Sequence, residues 1–323
     1  MKNFFLIIIG GILVVISGTV IALKTPILIS TLWQEAPNLT GKTIFGVKVT
    51  PNAQPVDGTS ISGLKRFVRY TASEEEGLVK SATLSLARSG DHNITAKSFI
   101  LVDLKNGKVI SESNTEKLLP IASLTKLVTA VIAKKVVKDD AKVKITKEIT
   151  SIYGNTAEFR IGETFKAEDL YYPLLMVSSN DSAEALARSY GRKQFISAMN
   201  DFAQLIGAYR TVFVDPSGLS PDNRSTAEDL SIIYSWIMKN EPEILEITKL
   251  KTKVVRAHTW TNPAHFLSWS NYAGGKNGYT DEAKQTGVAV FYMDKVPYLI
   301  AILGSKSRDA DIVNLLTKVQ MGK

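Results

Sequence analysis

The sequence contains no cysteine, which excludes disulfide bonds and thiolate metal sites. Its three histidines, His92, His258 and His265, are scattered without the spacing of metal ligands, and we expect neither a metal nor a cofactor. RGG tracts, zinc-finger spacings and long basic runs are also missing. Nucleic acid is therefore the weakest candidate partner, although 39 basic against 31 acidic residues give a net charge of +8. Anionic lipid and an acidic polymer remain as partner classes.

One long uncharged apolar run stands at the N-terminus, "FFLIIIGGILVVISGTVIAL" over residues 4–23. A helix of this length spans roughly 30 Å, the hydrocarbon thickness of a bilayer. The apolar region of a cleaved signal peptide is usually shorter, and Val20-Ile21-Ala22 is only a weak cleavage candidate. We therefore expect residues 1–23 to be an uncleaved single-pass membrane anchor, with a cleaved signal as the alternative. Lys2 would hold the N-terminus in the cytoplasm, so the rest of the chain would face outward.

Beyond the anchor, composition divides the chain in two. Residues 24–93 are rich in Pro, Gly, Thr and Asn, which is typical of a linker or membrane-proximal segment. Residues 94–323 have sharper patterns: a hairpin around Lys105-Asn106-Gly107, several amphipathic helices, and two late strands joined at Met293 to Val296. One of the helices is expected to begin with a capping box, with Ser225 as N-cap and Glu228 three residues on. Strands at both ends with helices between them predict one domain with an antiparallel sheet and a helical insertion.

Ser123 and Lys126 lie three positions apart at the start of an apolar run, "PIASLTKLVTAVIAKKVV". On a helix such residues are neighbours, and a desolvated lysine amine could take the serine proton. The pattern alone is weak, because Ser62 and Lys65 repeat it in the linker. We expect a buried helix that begins at Ser123, where the helix dipole and free N–H groups favour negative charge; the alternative is a helix cap and a surface lysine.

Two further polar clusters accompany this pair. Ser178-Ser179-Asn180-Asp181 lies at a predicted helix junction, where the residue types suit either helix capping or a site. "GGKNGYTDE" comes just before a late strand, and its glycines would let a substrate backbone lie against the strand edge while Lys276 adds positive charge. Each cluster by itself also fits an ordinary cap or turn.

Together the three clusters resemble the motif set of the penicillin-recognising serine enzymes: Ser-x-x-Lys, then Ser-x-Asn, then Lys-x-Gly. Four stretches, "LPIASLTKLVTA", "MVSSNDSAEALA", "FVDPSGLSPDNRSTAEDL" and "GGKNGYTDEA", are similar in order and spacing to the D-alanyl-D-alanine carboxypeptidases, the low-molecular-mass penicillin-binding proteins. The resemblance covers residues 94–323. It implies a mainly α/β (α+β) fold of the β-lactamase/transpeptidase type, with a five-stranded antiparallel sheet covered by helices and an all-α insertion.

The resemblance also implies roles for individual residues. Ser123 would be the acylated nucleophile and Lys126 its general base, while Ser178 relays protons, Asn180 holds the substrate backbone and Lys276 stabilises charge. The backbone N–H groups of Ser123 and Tyr279 would form the oxyanion hole. Gly278 and Thr280 would lie beside the substrate, and Arg308 would bind its terminal carboxylate, unless it is an ordinary solvated arginine at a helix start.

The sequence departs from the family pattern at Asn277, where Thr or Ser is usual. A hydroxyl at this position donates to the substrate carboxylate, and an asparagine amide can also donate but is longer and planar. The departure puts affinity, substrate range and penicillin sensitivity in doubt. It does not remove a group with a covalent or proton-transfer role.

We therefore expect a membrane-bound, extracytoplasmic carboxypeptidase that removes the terminal D-alanine from peptidoglycan stem pentapeptides. β-Lactams would be its covalent inhibitors. A β-lactamase is one alternative, although the loop "VFVDPSGLSPDNR" lacks the glutamate that the commonest class uses. A non-catalytic wall-binding scaffold, motivated by Asn277, is another. A Ser-His-Asp hydrolase is disfavoured because the chain has no Gly-x-Ser-x-Gly elbow.

Overall fold

The computed structural model describes residues 94–154 and 156–321, together with four short strand segments nearer the N-terminus. These segments pair as two antiparallel ribbons, Leu13–Ile16 with Thr19–Ala22 and Thr43–Ile44 with Val47–Lys48. The other residues of the expected anchor and linker lie outside the described part of the chain, as does the Ser62/Lys65 pair. Within the described residues no helix is long and apolar enough to cross a bilayer.

The secondary structure follows the chain in this order. The strands are β1 (Leu13–Ile16), β2 (Thr19–Ala22), β3 (Thr43–Ile44), β4 (Val47–Lys48), β5 (Ser98–Asp103), β6 (Lys108–Ser113), β7 (Leu119–Pro120), β8 (Lys142–Lys144), β9 (Thr164–Lys166), β10 (Arg224–Ser225), β11 (Thr252–Val255), β12 (His258–Thr261), β13 (Tyr272–Thr280), β14 (Lys284–Met293) and β15 (Val296–Ser305). The helices are α1 (Thr125–Val136), α2 (Lys147–Thr150), α3 (Ala167–Met176), α4 (Asn180–Tyr190), α5 (Arg192–Leu205), α6 (Ala227–Asn240), α7 (Pro242–Lys249) and α8 (Arg308–Met321). Short 3-10 turns occupy Ala122–Leu124 and His265–Ser268.

The main sheet is antiparallel and has the order β13-β14-β15-β5-β6. The early hairpin β5–β6 turns around Gly107, whose φ of 71° suits the predicted Asn-Gly turn. This hairpin joins the three late strands through the pairing of β15 with β5. The five-stranded antiparallel sheet expected for residues 94–323 is thus confirmed, with β13 at one edge.

Successive side chains along the strands point to opposite faces of the sheet and so belong to two separate apolar cores. In β5, Ile100 and Val102 face the larger core with most of the helices, whereas Phe99 and Leu101 face a smaller core that α8 covers. This period of two is what a sheet buried on both faces requires. The α+β architecture with helices on both faces of the sheet follows from it.

Two helix starts differ from the sequence-based expectation. The run after Pro120 opens with the 3-10 turn Ala122–Leu124, and α1 begins at Thr125 rather than at Ser123. The N-cap of α6 is Thr226, whose side chain accepts a hydrogen bond from the N–H of Asp229, and not Ser225. Ser225 instead pairs in β10, so the expected capping box is wrong by one residue.

Candidate active site

Ser123 is held in the 3-10 turn between β7 and α1. The start of the turn is fixed: Ile121 donates its N–H to the carbonyl of Asn223, and its own carbonyl accepts from Thr286 Oγ1 at 3.0 Å. Ala122 has a φ of 49°, which is unusual for a residue with a side chain and marks strain at this turn. Ser123 itself is half-buried, so its hydroxyl remains accessible at the end of a rigid segment.

Lys126 is fully buried, one helical turn beyond Ser123. Its Nζ lies 2.9 Å from Ser123 Oγ, 2.7 Å from Asn180 Oδ1 and 2.5 Å from the carbonyl oxygen of Ser217. Burial lowers the pKa of Lys126 well below its usual value, and the nearby positive charge of Lys276 lowers it further, while Asp215 opposes the shift. Burial therefore favours the neutral form of this amine.

The three oxygen neighbours of Lys126 Nζ fit either protonation state of the amine. An ammonium donates to all three oxygens, whereas a neutral amine donates to Asn180 and to the Ser217 carbonyl and accepts the hydroxyl hydrogen of Ser123. In the neutral form, which burial favours, the lone pair therefore points at the serine proton. The predicted contact between Ser123 and Lys126 is confirmed by the structure.

In the Ser-Ser-Asn-Asp cluster, one residue caps a helix and two others contact the buried lysines. Ser179 caps α4, because its Oγ accepts from the N–H of Ser182 at 3.0 Å. Ser178 has a φ of 57° where α3 gives way to α4, and its hydroxyl accepts a short hydrogen bond from Lys276. Asn180, the first residue of α4, accepts from Lys126 and donates to the carbonyl of Tyr153 at 2.8 Å. Ser179 therefore caps a helix, whereas Ser178 and Asn180 contact the two lysines.

Lys276 comes from the edge strand β13 and is almost fully buried. Besides Ser178 it donates to the carbonyl of Asn277 at 2.9 Å. Burial lowers the pKa of Lys276 to about 7, and the charge of Arg308 contributes. This amine therefore changes protonation near neutral pH, which suits a group that stabilises charge or passes a proton.

One edge of strand β13 pairs with β14, and its other edge faces the candidate site. Gly275 donates its N–H to Thr248 Oγ1 rather than to β14, and the carbonyl of Asn277 accepts from Lys276, so both residues point outward. Because backbone groups alternate along a strand, the N–H of Tyr279 also points away from β14. It can serve as a donor to a bound group, as predicted for the oxyanion hole.

Gly278 lies against the serine turn. A Cβ atom here would be 2.9 Å from the backbone N of Ser123 and 2.5 Å from Thr286 Oγ1, so only glycine fits. The side chains on either side serve other contacts: the Tyr279 hydroxyl donates to Asp281, and Thr280 Oγ1 accepts from the N–H of Ala283. A substrate can therefore bind the backbone N–H and carbonyl groups of Tyr279 and Thr280 more readily than their side chains.

Arg308 reaches the same region from the first position of α8. Its stem crosses Gly287, where a Cβ would come 2.4 Å from Arg308 Cδ. Gly287 is the cross-strand partner of Asn277, so the arginine stem and the asparagine side chain lie on the same face of the sheet. The guanidinium is mostly buried and donates from Nε to Asp309 at 2.8 Å. It is therefore neither a solvated helix-start arginine nor far from Lys276.

The resemblance included the loop of residues 215–223 but assigned none of its residues to the site, although the loop packs against Lys126. Asp215 accepts hydrogen bonds from the N–H groups of Ser217, Gly218 and Ser220 and from the Ser217 hydroxyl, and these bonds lower its pKa despite burial. They hold the Ser217 carbonyl against Lys126. Gly287 and the Tyr153 carbonyl were missed as well. An Asp-Pro-Ser-Gly turn signal marks the loop, but a carbonyl acceptor leaves no mark in the sequence.

The arrangement combines an accessible serine hydroxyl, a buried lysine amine beside it and outward N–H donors near the hydroxyl. Such a site can form and break an acyl ester without histidine or metal. It therefore defines a serine enzyme of the acyl-transfer class. A family model for the D-alanyl-D-alanine carboxypeptidases, peptidase family S11, matches residues 85–307. The chain belongs to this family and is a serine hydrolase of this type.

Individual relatives agree with this assignment. The chain is 30% identical over 269 residues to a D-alanyl-D-alanine endopeptidase of Escherichia coli K12, covering 77% of this chain and 84% of that protein. It is similar in structure to a D-alanyl-D-alanine carboxypeptidase of Mycobacterium tuberculosis H37Rv, with a TM-score of 0.65, 27% identity, and coverage of 72% and 95%. It is also similar to penicillin-binding protein D2 of Listeria monocytogenes in its cefotaxime-bound form, with a TM-score of 0.64, 26% identity, and coverage of 71% and 97%.

Proposed function

We propose that this protein removes the terminal D-alanine from peptidoglycan stem pentapeptides through an acyl-enzyme on Ser123. The observation that carries the proposal is the buried Lys126, whose Nζ lies 2.9 Å from the serine hydroxyl with two other acceptors to hold it and whose neutral form burial favours. A neutral amine in this position is a general base that is already aimed at its proton. The family assignment supplies the substrate class.

In the acylation step, Lys126 takes the proton of the Ser123 hydroxyl as Oγ attacks the carbonyl carbon between the two terminal D-alanines. The oxygen of that carbonyl becomes negative, and the N–H groups of Ser123 and Tyr279 stabilise it. When the intermediate collapses, the C–N bond breaks and an ester forms on Oγ. The leaving nitrogen needs one proton, which Ser178 passes on from Lys126 or Lys276, and free D-alanine departs.

Water completes the cycle. It adds to the ester carbonyl while Lys126 accepts its proton, and the C–O bond to Ser123 breaks to return the hydroxyl and release the shortened peptide. Asp215 does not supply this base, because three backbone N–H groups and the Ser217 hydroxyl already occupy its carboxylate. Its engagement argues against a β-lactamase that uses a carboxylate of this loop for fast deacylation.

The substrate backbone is proposed to lie along β13 as an added strand, hydrogen-bonded to its free edge. Its terminal carboxylate would meet Asn277 and the guanidinium of Arg308, which share one face of the sheet. An asparagine amide can donate one hydrogen bond where the family usually has a hydroxyl. The arginine provides the charge, so the departure at Asn277 affects affinity more than turnover.

We place the catalytic domain on the outer side of the cytoplasmic membrane, where stem peptides are, with residues 1–23 as its anchor or signal. The basic net charge of +8 suits an anionic wall or lipid surface. β-Lactams are expected to acylate Ser123, and the related Listeria protein was solved with cefotaxime and with ampicillin bound. Fractionation of cells that express the full chain would test the location: we expect the membrane fraction, and a soluble cytoplasmic protein would contradict it.

An endopeptidase is the second candidate, because relatives in Escherichia coli and Pseudomonas aeruginosa carry that name at 30% and 29% identity. The acylation chemistry is the same, but the leaving amine would belong to a cross-linked side chain instead of free D-alanine. Digestion of purified cross-linked muropeptide dimers would separate the two functions. Dimers that stay intact while pentapeptides are trimmed support the carboxypeptidase.

The direct test measures D-alanine release from a synthetic stem pentapeptide by the wild type and by Ser123→Ala. We expect release by the wild type and none by the variant. Equal rates in both proteins would refute the mechanism. If neither protein releases D-alanine and a fluorescent penicillin leaves no adduct, the chain is a non-catalytic member of its family.

A further inference from the structure

The short loop between β15 and α8 carries Arg308, and a group of hydrogen bonds that the mechanism above does not use holds this loop. Ser305 ends β15 and Arg308 begins α8, with Lys306 and Ser307 between them. Because the loop is this short, the direction in which the Arg308 side chain leaves the helix depends on how the loop backbone is fixed.

Asp311 lies at the centre of this group and is buried, with an exposed fraction of 1%. Its carboxylate accepts three hydrogen bonds: from the N–H of Thr95 at 2.8 Å, from the Thr95 hydroxyl at 2.9 Å and from the Ser305 hydroxyl at 2.6 Å. Its own N–H donates to the carbonyl of Ser307 at 2.9 Å. A buried carboxylate is costly unless it is hydrogen-bonded in this way, so these contacts fix its position.

Thr95 extends these contacts to the backbone of the loop. While its hydroxyl donates to Asp311, Thr95 Oγ1 accepts from the N–H of Lys306 at 3.0 Å and from the N–H of Ser307 at 3.3 Å. The Ser305 hydroxyl likewise accepts from the N–H of Ser307 at 2.9 Å. Each hydroxyl thus donates to the carboxylate and accepts from the loop. Thr95, Ser305 and Asp311, the Asp311 cluster, therefore hold the two residues that directly precede Arg308.

Gln285 of β14 fixes the same loop from the neighbouring strand. Its Oε1 accepts from the N–H of Arg308 at 2.9 Å, and its Nε2 donates to the carbonyl of Lys306 at 3.3 Å. The Arg308 stem then crosses Gly287, and Nε donates to Asp309 at 2.8 Å. The backbone, the stem and Nε of the arginine are all held, which sets the direction of its two terminal nitrogens.

This direction matters for the binding of a carboxylate. Two N–H groups of a guanidinium match two carboxylate oxygens only when the groups approach in the right plane. An arginine that is already ordered also loses less side-chain freedom when its ligand binds. The contacts of the loop therefore influence the affinity of Arg308 for a carboxylate that they do not touch.

We propose that the Asp311 cluster orients Arg308 for the terminal carboxylate of the substrate, so that Thr95 and Asp311 are positioning residues. The inference rests on the proposed function, because that function assigns the carboxylate to Arg308. It extends the residues that carboxylate recognition requires to Thr95, which lies where the chain enters the domain and far from Arg308 in the sequence.

The test is a double-mutant cycle between Thr95 and Arg308, measured as kcat/KM for D-alanine release from a synthetic stem pentapeptide. Thr95→Val removes the hydroxyl but keeps the branched shape, and the position is exposed, so the domain should still fold. We expect kcat/KM to fall about fivefold, as for the loss of one net hydrogen bond, through a higher KM and not a lower kcat. In the Arg308→Gln background we expect no further fall, because the side chain that Thr95 orients is then absent.

Two further variants are the controls. Thr95→Ser keeps the hydroxyl and should restore wild-type kinetics. Thr317→Val removes another exposed threonine hydroxyl from α8, one that donates to the carbonyl of Asn314, and it should leave kcat/KM unchanged. An unchanged kcat/KM in Thr95→Val would overturn the proposal. So would a fall that is equally large in the Arg308→Gln background, because this result would show that the threonine supports only the fold.

Failure of the proposed function would look different, since the wild type itself would then release no D-alanine. Calorimetry with Ser123→Ala tests the positioning in that case without turnover, with the pentapeptide and the same peptide bearing a C-terminal carboxamide as ligands. We expect the free acid to bind more tightly than the carboxamide, and Thr95→Val to reduce this difference about fivefold. Equal affinities for the two peptides, or a difference that Thr95→Val leaves unchanged, would reject the proposal.

Discussion

Gly278→Ala tests the oxyanion hole through a single added methyl group. Its Cβ would stand 2.9 Å from the Ser123 nitrogen and 3.1 Å from Ala122 Cβ, and carbon contacts normally need about 3.5–4.0 Å. The serine turn must therefore shift by roughly 0.5 Å or more, which turns one N–H away from the position of the oxyanion. Loss of one such donor costs about 100- to 1000-fold in rate, or about 2.7–4 kcal/mol.

The assay is the rate of acylation by a fluorescent penicillin, followed by stopped flow, with thermal unfolding recorded in parallel. The added methyl also meets Thr286 Oγ1 at 2.5 Å, so some loss of stability is expected as well. The double variant with Thr286→Ala relieves that clash but not the one at Ser123. We expect it to regain stability without regaining rate, and Thr286→Ala alone reports the cost of its hydrogen bond to Ile121. A folded Gly278→Ala that acylates within about threefold of wild type would refute the assignment of the donor.

Three further perturbations follow from the charges in and around the site. Arg308→Gln removes a positive charge that helps to lower the pKa of Lys276 to about 7, so this pKa should rise. The alkaline fall in kcat/KM should then move to higher pH, and an unchanged midpoint in the pH-rate profile would contradict this. Asp181 is buried with no hydrogen-bond donor to its carboxyl among the described residues, and burial raises its pKa to about 6. Because the folded state then holds the proton more tightly, this carboxyl's contribution to stability is lost as pH rises from about 4 through 6. Asp181→Asn should remove that contribution in urea unfolding, and parallel curves of the wild type and the variant would disprove it. Asp215→Asn weakens the charge-assisted bonds that shape the loop under Lys126 and should lower the free energy of unfolding by about 2 kcal/mol; an unchanged value would show that the loop does not depend on the charge.

Much of the fold could be predicted because local signals agreed with the final structure. The Asn-Gly turn at Gly107 marks the first hairpin, and the polar turn after Met293 marks the last one. Two helix starts within residues 94–321 were predicted wrongly. Thr226 displaced Ser225 as N-cap because Ser225 is drawn into β10, a pairing with β7 that no local pattern encodes.

The site was predictable to the extent that its chemistry is carried by side chains in motifs. Ser123, Lys126, Ser178, Asn180 and Lys276 converge as expected, linked by hydrogen bonds through the two lysines. The Ser217 carbonyl could not be foreseen, because any residue supplies a carbonyl and only the folded loop places it. The packing of Arg308 across Gly287 is equally invisible in the sequence, since it joins two distant segments across a sheet.

The proposed mechanism requires that Ser123 carries the acyl group after its activation by Lys126. Intact-protein and peptide mass spectrometry after incubation with a penicillin measures this in one experiment. We predict one drug molecule attached to the peptide that contains Ser123 in the wild type, none in Ser123→Ala, and a strongly slowed adduct in Lys126→Ala. An adduct on another residue, or one that forms equally fast in Lys126→Ala, would contradict the central claim.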